Sequence, residues 1–361
     1  MSSLELQSRS GWDRGLLAAS AALGVVSVIV MSSAAATVNP GLALRHATWL
    51  AIGALVHVAV ARTSSRRWTE ASVPLYAAAV LLLLAVELVG AVRLGATRWL
   101  SVFGFSVQPS EFAKLATILF LARTLSDQPA PLSWRACGQS LAVAGVPMGL
   151  ILLQPDLGSA SIIGAIWLGM VWTAGVSRML VIGAAAAALV LSPIGWLLLH
   201  DYQRTRVLVF LNPQVDPLGA GYTIIQSTIA IGSGRLFGRG WQAGTQNQLN
   251  FLPEHHSDFI FSVVGEEWGL IGCLIVIAVF VLLLARIVAV AGDTVDPQAR
   301  ALAAGVLSWI GYQTIVNMGM VMGLIPVVGV PLPFISYGGS SMVALWVALG
   351  WIQSIARRRS D

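Results

Sequence analysis

An acid stands where a polar stretch meets an apolar one. In TQNQLNFLPEHHSDFIFSVVGEEWG (residues 245–269), Asp258 follows Pro253, Glu254, His255, His256 and Ser257 and precedes Phe259, Ile260, Phe261, Val263 and Val264. A carboxylate at such a boundary is costly to bury and commonly has a task. The bland alternative is a helix cap, with Ser257 or Asp258 accepting from the first free N–H groups. Glu111 and Lys114 lie three apart on a predicted helix and so share one face. They are either a structural pair or part of a charged pathway, and Lys114 is the one lysine among 21 basic residues. Arg98 precedes Trp99, which fits an interfacial anchor or a guanidinium fork for phosphate. Asp156, after Pro155, reads first as a helix N-cap. Along a helix from Asp258, Glu266 falls ~80° round and Glu267 nearly opposite, so one of them is expected on the Asp258 side. Glu87 has no evident partner. His255 and His256 beside Glu254 and Asp258 match no zinc spacing. The chain also lacks a nucleophile elbow, a Walker loop, a dinucleotide fingerprint and His-Glu-x-x-His.

The elements that must position these groups follow from composition. Of 361 residues, 57% are apolar and 10% charged, with a mean hydropathy of +0.80. That excludes an ordinary soluble domain and implies an all-α polytopic membrane protein. The net charge of +5 is not a nucleic-acid signal, because the basic residues lie in short loops. Cys137 and Cys273 sit in or beside apolar segments, so no disulfide framework is expected. Ten spans are predicted, at about 15–36, 46–62, 73–91, 109–123, 138–154, 158–175, 179–199, 259–285, 301–323 and 341–356, forming one domain over 1–361. The first, with Arg9 and Arg14 before it and Ala34-Ala35-Ala36 after, mimics a signal peptide but is long enough to span uncleaved. Thirteen arginines fall on the side of the termini and seven on the other, which puts both termini in the cytoplasm. The large loop at about 200–258 then faces outward. Within it GYTIIQSTIAIG fits a short helix, lying in the interface plane or buried in the loop. Residues 95–114 and 323–341 are rich in Gly and Pro and are read as turns or broken helices at membrane depth.

One outward cavity holding these groups would offer a single carboxylate base and several cations in an apolar wall. That suits sugar transfer from a lipid-linked diphosphate. The leaving group needs its charge met by Arg, Lys or a divalent ion, and the attacking hydroxyl needs a base. The paired carboxylates of hydrolases are not required, and direct displacement inverts the anomeric centre.

Four segments carry a resemblance to a known family: GATRWLSVFGFSVQPSEFAKL, QPDLGSA, GTQNQLNFLPEHHSDFIFSVVGEEWGLIG and GLIPVVGVPLPFISYGGSS. From about residue 90 to its C-terminus the chain resembles the SEDS family (shape, elongation, division and sporulation). GTQNQLNFLPE and PVVGVPLP are nearer the family's elongation form than its division form. The resemblance implies ten transmembrane helices in the bacterial cytoplasmic (inner) membrane. It implies a peptidoglycan glycosyltransferase that polymerises lipid II into β-1,4-linked glycan at the outer face during elongation. A class B penicillin-binding protein would be the partner, and a divalent cation, Mg or Mn, would support activity. The essential Asp of the family maps onto Asp258, the Glu and Lys of its QPSE-x-x-K motif onto Glu111 and Lys114, and its Arg before Trp onto Arg98; these three are the candidates for binding the diphosphate. Gln108 and Arg204 are further candidates for substrate contact. Glu266, Asp156, His255 and Ser336 are candidates for support, and Asp258 or Glu111 for a metal ligand. His256-Ser257 departs from the expected His-Thr and keeps the hydroxyl. Two rival readings share these features: a lipid II flippase, disfavoured by the lack of an inverted repeat, and a non-catalytic scaffold for a cell-wall synthase.

Overall fold

The computed structural model describes residues 11–36, 39, 41–89, 91–93, 96–102, 105–179, 181–184, 186, 190, 197 and 201–358. The helices are α1 (Arg14–Ala34), α2 (Gly41–Ala61), α3 (Ser65–Glu70), α4 (Ser72–Val89), α5 (Pro109–Ser126), α6 (Trp134–Leu153) and α7 (Leu157–Thr173). After them come α8 (Asp201–Leu211), α9 (Tyr222–Gly234), α10 (Thr245–Gln248), α11 (Ile260–Asp293), α12 (Pro297–Val321) and α13 (Gly339–Arg357). Nine of the ten predicted spans are present. The seventh, 179–199, falls largely outside the described residues.

Starts of helices follow capping chemistry. Asp13, Ser133, Asp156 and Asp296 each accept from a backbone N–H of the first turn, and proline opens α5 and α12. By length and apolarity α1, α2, α6, α11 and α13 are sufficient to cross a membrane. α4 and α7 are shorter apolar helices. α5 and α12 sit in the middle of the bundle, buried along most of their length, with their polar side chains turned inward. Large apolar residues such as Leu55, Leu88, Leu153 and Leu168 lie exposed on the outside. A lipid solvent permits that inversion and water does not.

Two features differ from expectation. The stretch read as turns or broken helix before α5 is a small antiparallel sheet, β1 (Ala91–Arg93), β2 (Ala96–Val102) and β3 (Phe105–Val107), in the order β1-β2-β3. In addition, α11 is two helical pieces joined at Gly269, whose φ of 65° and ψ of −162° are not helical. The loop after α9 fills the break. Arg239 N and Gly240 N donate to Glu266 O and Glu267 O, while Leu270 N and Ile271 N donate to Arg235 O and Leu236 O. A Cβ on Gly238 (φ +81°) would lie 2.1 Å from Glu267 O, so only glycine permits this approach. GYTIIQSTIAIG is α9. It packs on α11 through Ile224, Ser227, Ala230 and Gly234, the loop-packed form of the two expected.

Candidate functional site

Asp258 lies in the turn before α11, and it caps nothing. The residue at the helix threshold is Phe259, and the start of α11 has no side-chain cap. Ser257 Oγ instead donates to Glu254 Oε2 at 3.0 Å. The turn is held from outside through its main chain. Asn317 Nδ2, fully buried on α12, donates to Asp258 O and to Val330 O, both at 2.7 Å. Ser336 Oγ donates to Ser257 O at 2.6 Å and accepts from Leu332 N at 2.7 Å. Tyr337 N donates to His256 O. The Gly- and Pro-rich segment 323–341 is thereby sewn to the Asp258 turn. A Cβ on Gly329 (φ +71°) would sit 3.4 Å from Asp258 Oδ2. The carboxylate therefore faces the backbone of that segment. It accepts no hydrogen bond among the described residues and is half-buried.

The same segment gathers the cations. Arg206 Nη1, on α8, donates to Val327 O at 3.1 Å, two residues before Gly329. The start of α7 closes the other side, where a Cβ on Gly158 would lie 2.8 Å from Val328 O. Arg98 on β2 reaches that corner: Nε donates to Gln154 O at 3.2 Å and Nη2 to Pro155 O. Asp156 caps α7, accepting from Ser159 N at 3.0 Å and from Ser159 Oγ at 2.8 Å. Burial, first, and then the negative charge of Glu254 lift the Asp258 pKa from 3.8 to about 6. Arg206 opposes that rise, Asp156 adds to it, and Arg98 opposes it in turn. His256 is held below its ordinary value by burial, against the pull of Glu254. It is neutral at pH 7, so the positive charge facing Asp258 is that of the two arginines.

Other expected site residues lie elsewhere. Glu111 and Lys114 form a 2.8 Å ion pair, sealed at 3% and 1% side-chain exposure. The expectation that they line an open cavity with Asp258 is not met: both side chains are buried inside the bundle, Lys114 against Trp309 of α12. Their link to the site is indirect. Lys114 Nζ lies over the Trp309 ring, Trp309 Nε1 donates to Gln313 Oε1, and Gln313 Nε2 donates to Pro331 O. Trp309, Gln313 and Asn317 are spaced by four on one face of α12, a polar ladder ending at the Asp258 turn. Neither Glu266 nor Glu267 turns toward Asp258. Glu266 accepts from Gln246 N and Asn247 N, holding α10. Glu267 accepts from Ser33 Oγ and Asn247 Nδ2. The helical wheel does not carry back to Asp258, because that residue lies in the turn before α11 and is not on the helix. His255 sits between two carbonyl oxygens, Nδ1 2.7 Å from Leu252 O and Nε2 3.0 Å from Ala34 O, and donates from its protonated ring nitrogen, a structural position. Arg204 pairs with Asp201 at 3.7 Å, and Arg206, which the sequence reading passed over, takes the place beside the site. Gln108 opens α5, its N–H donating to Ser340 Oγ. Glu87 is exposed near the end of α4. Among the described residues no three His, Cys, Asp or Glu side chains form a metal cluster. Asp156 is committed to Ser159 and Glu254 to Ser257.

Comparison with known proteins places this arrangement. The sequence profile of the FtsW/RodA/SpoVE family, described as "Cell cycle protein", matches residues 13–361. The peptidoglycan glycosyltransferase MrdB of Escherichia coli K12 is 42% identical over 339 residues, covering 94% of this chain and 91% of that one. A solved structure titled "Structural coordination of polymerization and crosslinking by a peptidoglycan synthase complex" superposes with a TM-score of 0.85. It shows 36% identity and covers 97% of this chain and 99% of its own. The rod shape determining protein RodA of Thermus thermophilus superposes with a TM-score of 0.73 at 30% identity, covering 97% and 98%.

Proposed function

Because the chain belongs to the FtsW/RodA/SpoVE family of cell cycle proteins and is a RodA-type peptidoglycan glycosyltransferase, we propose that it polymerises lipid II with Asp258 as general base. The observation that carries the reading is the state of that carboxylate. It caps no helix, accepts no hydrogen bond among the described residues, and is set between two tethered guanidinium groups. With a pKa of about 6 it is mainly ionised at pH 7, yet it is a stronger base than an ordinary aspartate. It takes the proton from the attacking sugar hydroxyl, a contribution of ~10²–10⁴-fold. Arg98 and Arg206 meet the charge that grows on the departing diphosphate, in a water-poor site where such stabilisation is largest. Asp258 would help to hold a divalent ion, which would supply Lewis-acid charge toward the leaving group. The sealed Glu111–Lys114 pair acts through the Trp309–Gln313 ladder on the Pro331 segment, not by touching the diphosphate. Arginine distribution supports both termini in the cytoplasm and the Asp258 side outward, where lipid II would be met together with a class B transpeptidase.

The test uses the purified full-length chain, a class B transpeptidase, lipid II and Mg or Mn. Wild type is expected to form glycan strands and Asp258→Asn none. Polymer from Asp258→Asn at the wild-type rate overturns the base assignment. Transfer of labelled lipid II between leaflets without polymer replaces the reading with transport.

A further inference from the structure

Two polar contacts mark the level of the bilayer on the molecule. α1 and α11 pack along each other. At one end Arg286 Nη2 donates to Asp13 Oδ2, and at the other Ser33 Oγ donates to Glu267 Oε1, both at 2.5 Å. Twenty residues separate Asp13 from Ser33, and nineteen separate Glu267 from Arg286. At 1.5 Å per residue both separations are ~30 Å, the thickness of a hydrocarbon core. Apart from Arg14 beside the Asp13 end, no Asp, Glu, Lys, Arg or His lies between those levels on either helix, and exposed Val25, Ile29, Leu274 and Val281 cover the outside. Glu267 therefore stands at the boundary of the leaflet on the Asp258 side.

The loop docked at Gly269 is pinned to that same level by its four backbone hydrogen bonds to residues 266–271. Its side chains are Arg235, Leu236, Phe237, Arg239 and Trp241, all exposed, with Phe237 at 79% and Trp241 at 57%. Apolar and aromatic groups interleaved with arginine are the composition of a membrane interface. We propose that Arg235–Trp241 is a wedge set into the leaflet on the Asp258 side. Leu236, Phe237 and Trp241 enter the boundary between headgroups and acyl chains, and Arg235 and Arg239 bind phospholipid phosphates. Lipid is the occupant because the bilayer already stands at this height, and a protein would have to displace it. The rigid backbone lets the wedge hold the loop between α9 and the Asp258 turn at a fixed depth. The proposal does not rest on the glycosyltransferase reading.

The test uses the full-length chain in nanodiscs of phosphatidylcholine and phosphatidylglycerol, with Cys137 and Cys273 replaced by Ala. A nitroxide at Phe237→Cys is compared with one at Ile275→Cys, on the lipid face of α11, and one at Val295→Cys, in an exposed loop. Collision with oxygen relative to a water-soluble nickel chelate is expected to lie below that at Ile275→Cys, which sits deeper, and to exceed that at Val295→Cys several-fold. A ratio equal to that at Val295→Cys overturns the wedge. So does a label protected only after the transpeptidase is added, which would make this a protein-docking surface. Trp241→Cys repeats the measurement if Phe237→Cys folds poorly. Arg235→Gln with Arg239→Gln should lower the ratio more in discs containing phosphatidylglycerol than in phosphatidylcholine alone. No difference between the two overturns the phosphate contact. Polymerisation by the same preparation reports separately on the catalytic reading.

Discussion

Replacing Asp258 by Ala should do two opposite things in one preparation: abolish polymerisation and make the protein harder to unfold. Loss of the base removes ~10²–10⁴-fold in rate. The stability effect follows from the environment of the carboxylate, which raises its pKa from 3.8 to about 6. At ~1.4 kcal/mol per unit, the charged form is disfavoured in the folded state by about 3 kcal/mol at pH 7. This is a ceiling, since the side chain keeps part of its surface in water and screening reduces the effect. The sign is set by linkage. The folded protein binds this proton more tightly than the unfolded chain, so stability is greatest below about pH 4 and falls as pH rises to about 6. A neutral side chain recovers that loss above the window and little of it near pH 4. A helix cap would behave the other way, with Ala costing ~0.5–2 kcal/mol at pH 7. The assay is the thermal unfolding midpoint of purified wild type and Asp258→Ala at pH 7 and at pH 4.5, beside their polymerisation rates. A variant less stable than wild type at pH 7 would refute the claim that the carboxylate is held for chemistry at the expense of the fold.

Other outcomes follow from the same geometry. The acid limb of the pH–rate profile should have its midpoint near 6; Glu254→Gln should move it down and Arg206→Gln up, as the charges those residues place on Asp258 require. Arg206→Gln should slow polymerisation far more than Arg204→Gln, because only Arg206 is tied to the segment carrying Gly329; equal effects would count against the assignment. Lys114→Met strands a buried Glu111 carboxylate, at a cost of roughly 3–5 kcal/mol, and adding Glu111→Gln should restore thermal stability. A Lys114→Met protein of normal stability but no activity would instead mean that the lysine meets substrate. Asn317→Ala leaves two buried carbonyls unpaired, at about 1–3 kcal/mol each, and should lower kcat with KM little changed. A raised KM with kcat intact would show that Asn317 shapes binding rather than the base.

The spans were legible because hydrophobic length and the cap at Asp156 are local properties of the chain. Asp258 was legible because a charge next to an apolar run is conspicuous wherever it points. What could not be read depended on partners distant in sequence. Glu266 and Glu267 are held by Gln246, Asn247 and Ser33, away from an Asp258 that precedes the helix. Arg206 and Arg204 are two residues apart on α8, and nothing local tells which faces segment 323–331. The Glu111–Lys114 pair was recognisable as a pair, but its enclosure depends on residues distant in sequence such as Trp309. Asn317 carried no signal, since an amide in an apolar helix does not reveal that it grips two main-chain carbonyls. The sheet at 91–107 was missed because strands this short, in a stretch rich in glycine, look like turns.

Asn317 grips the carbonyl oxygen of residue 258 and not its side chain. The position is therefore a socket whose fitting does not depend on what is plugged into it. A glutamate, a cysteine or a photoreactive amino acid installed at 258 should be presented on an unchanged backbone. That makes this turn a natural place to trap a reacting sugar covalently.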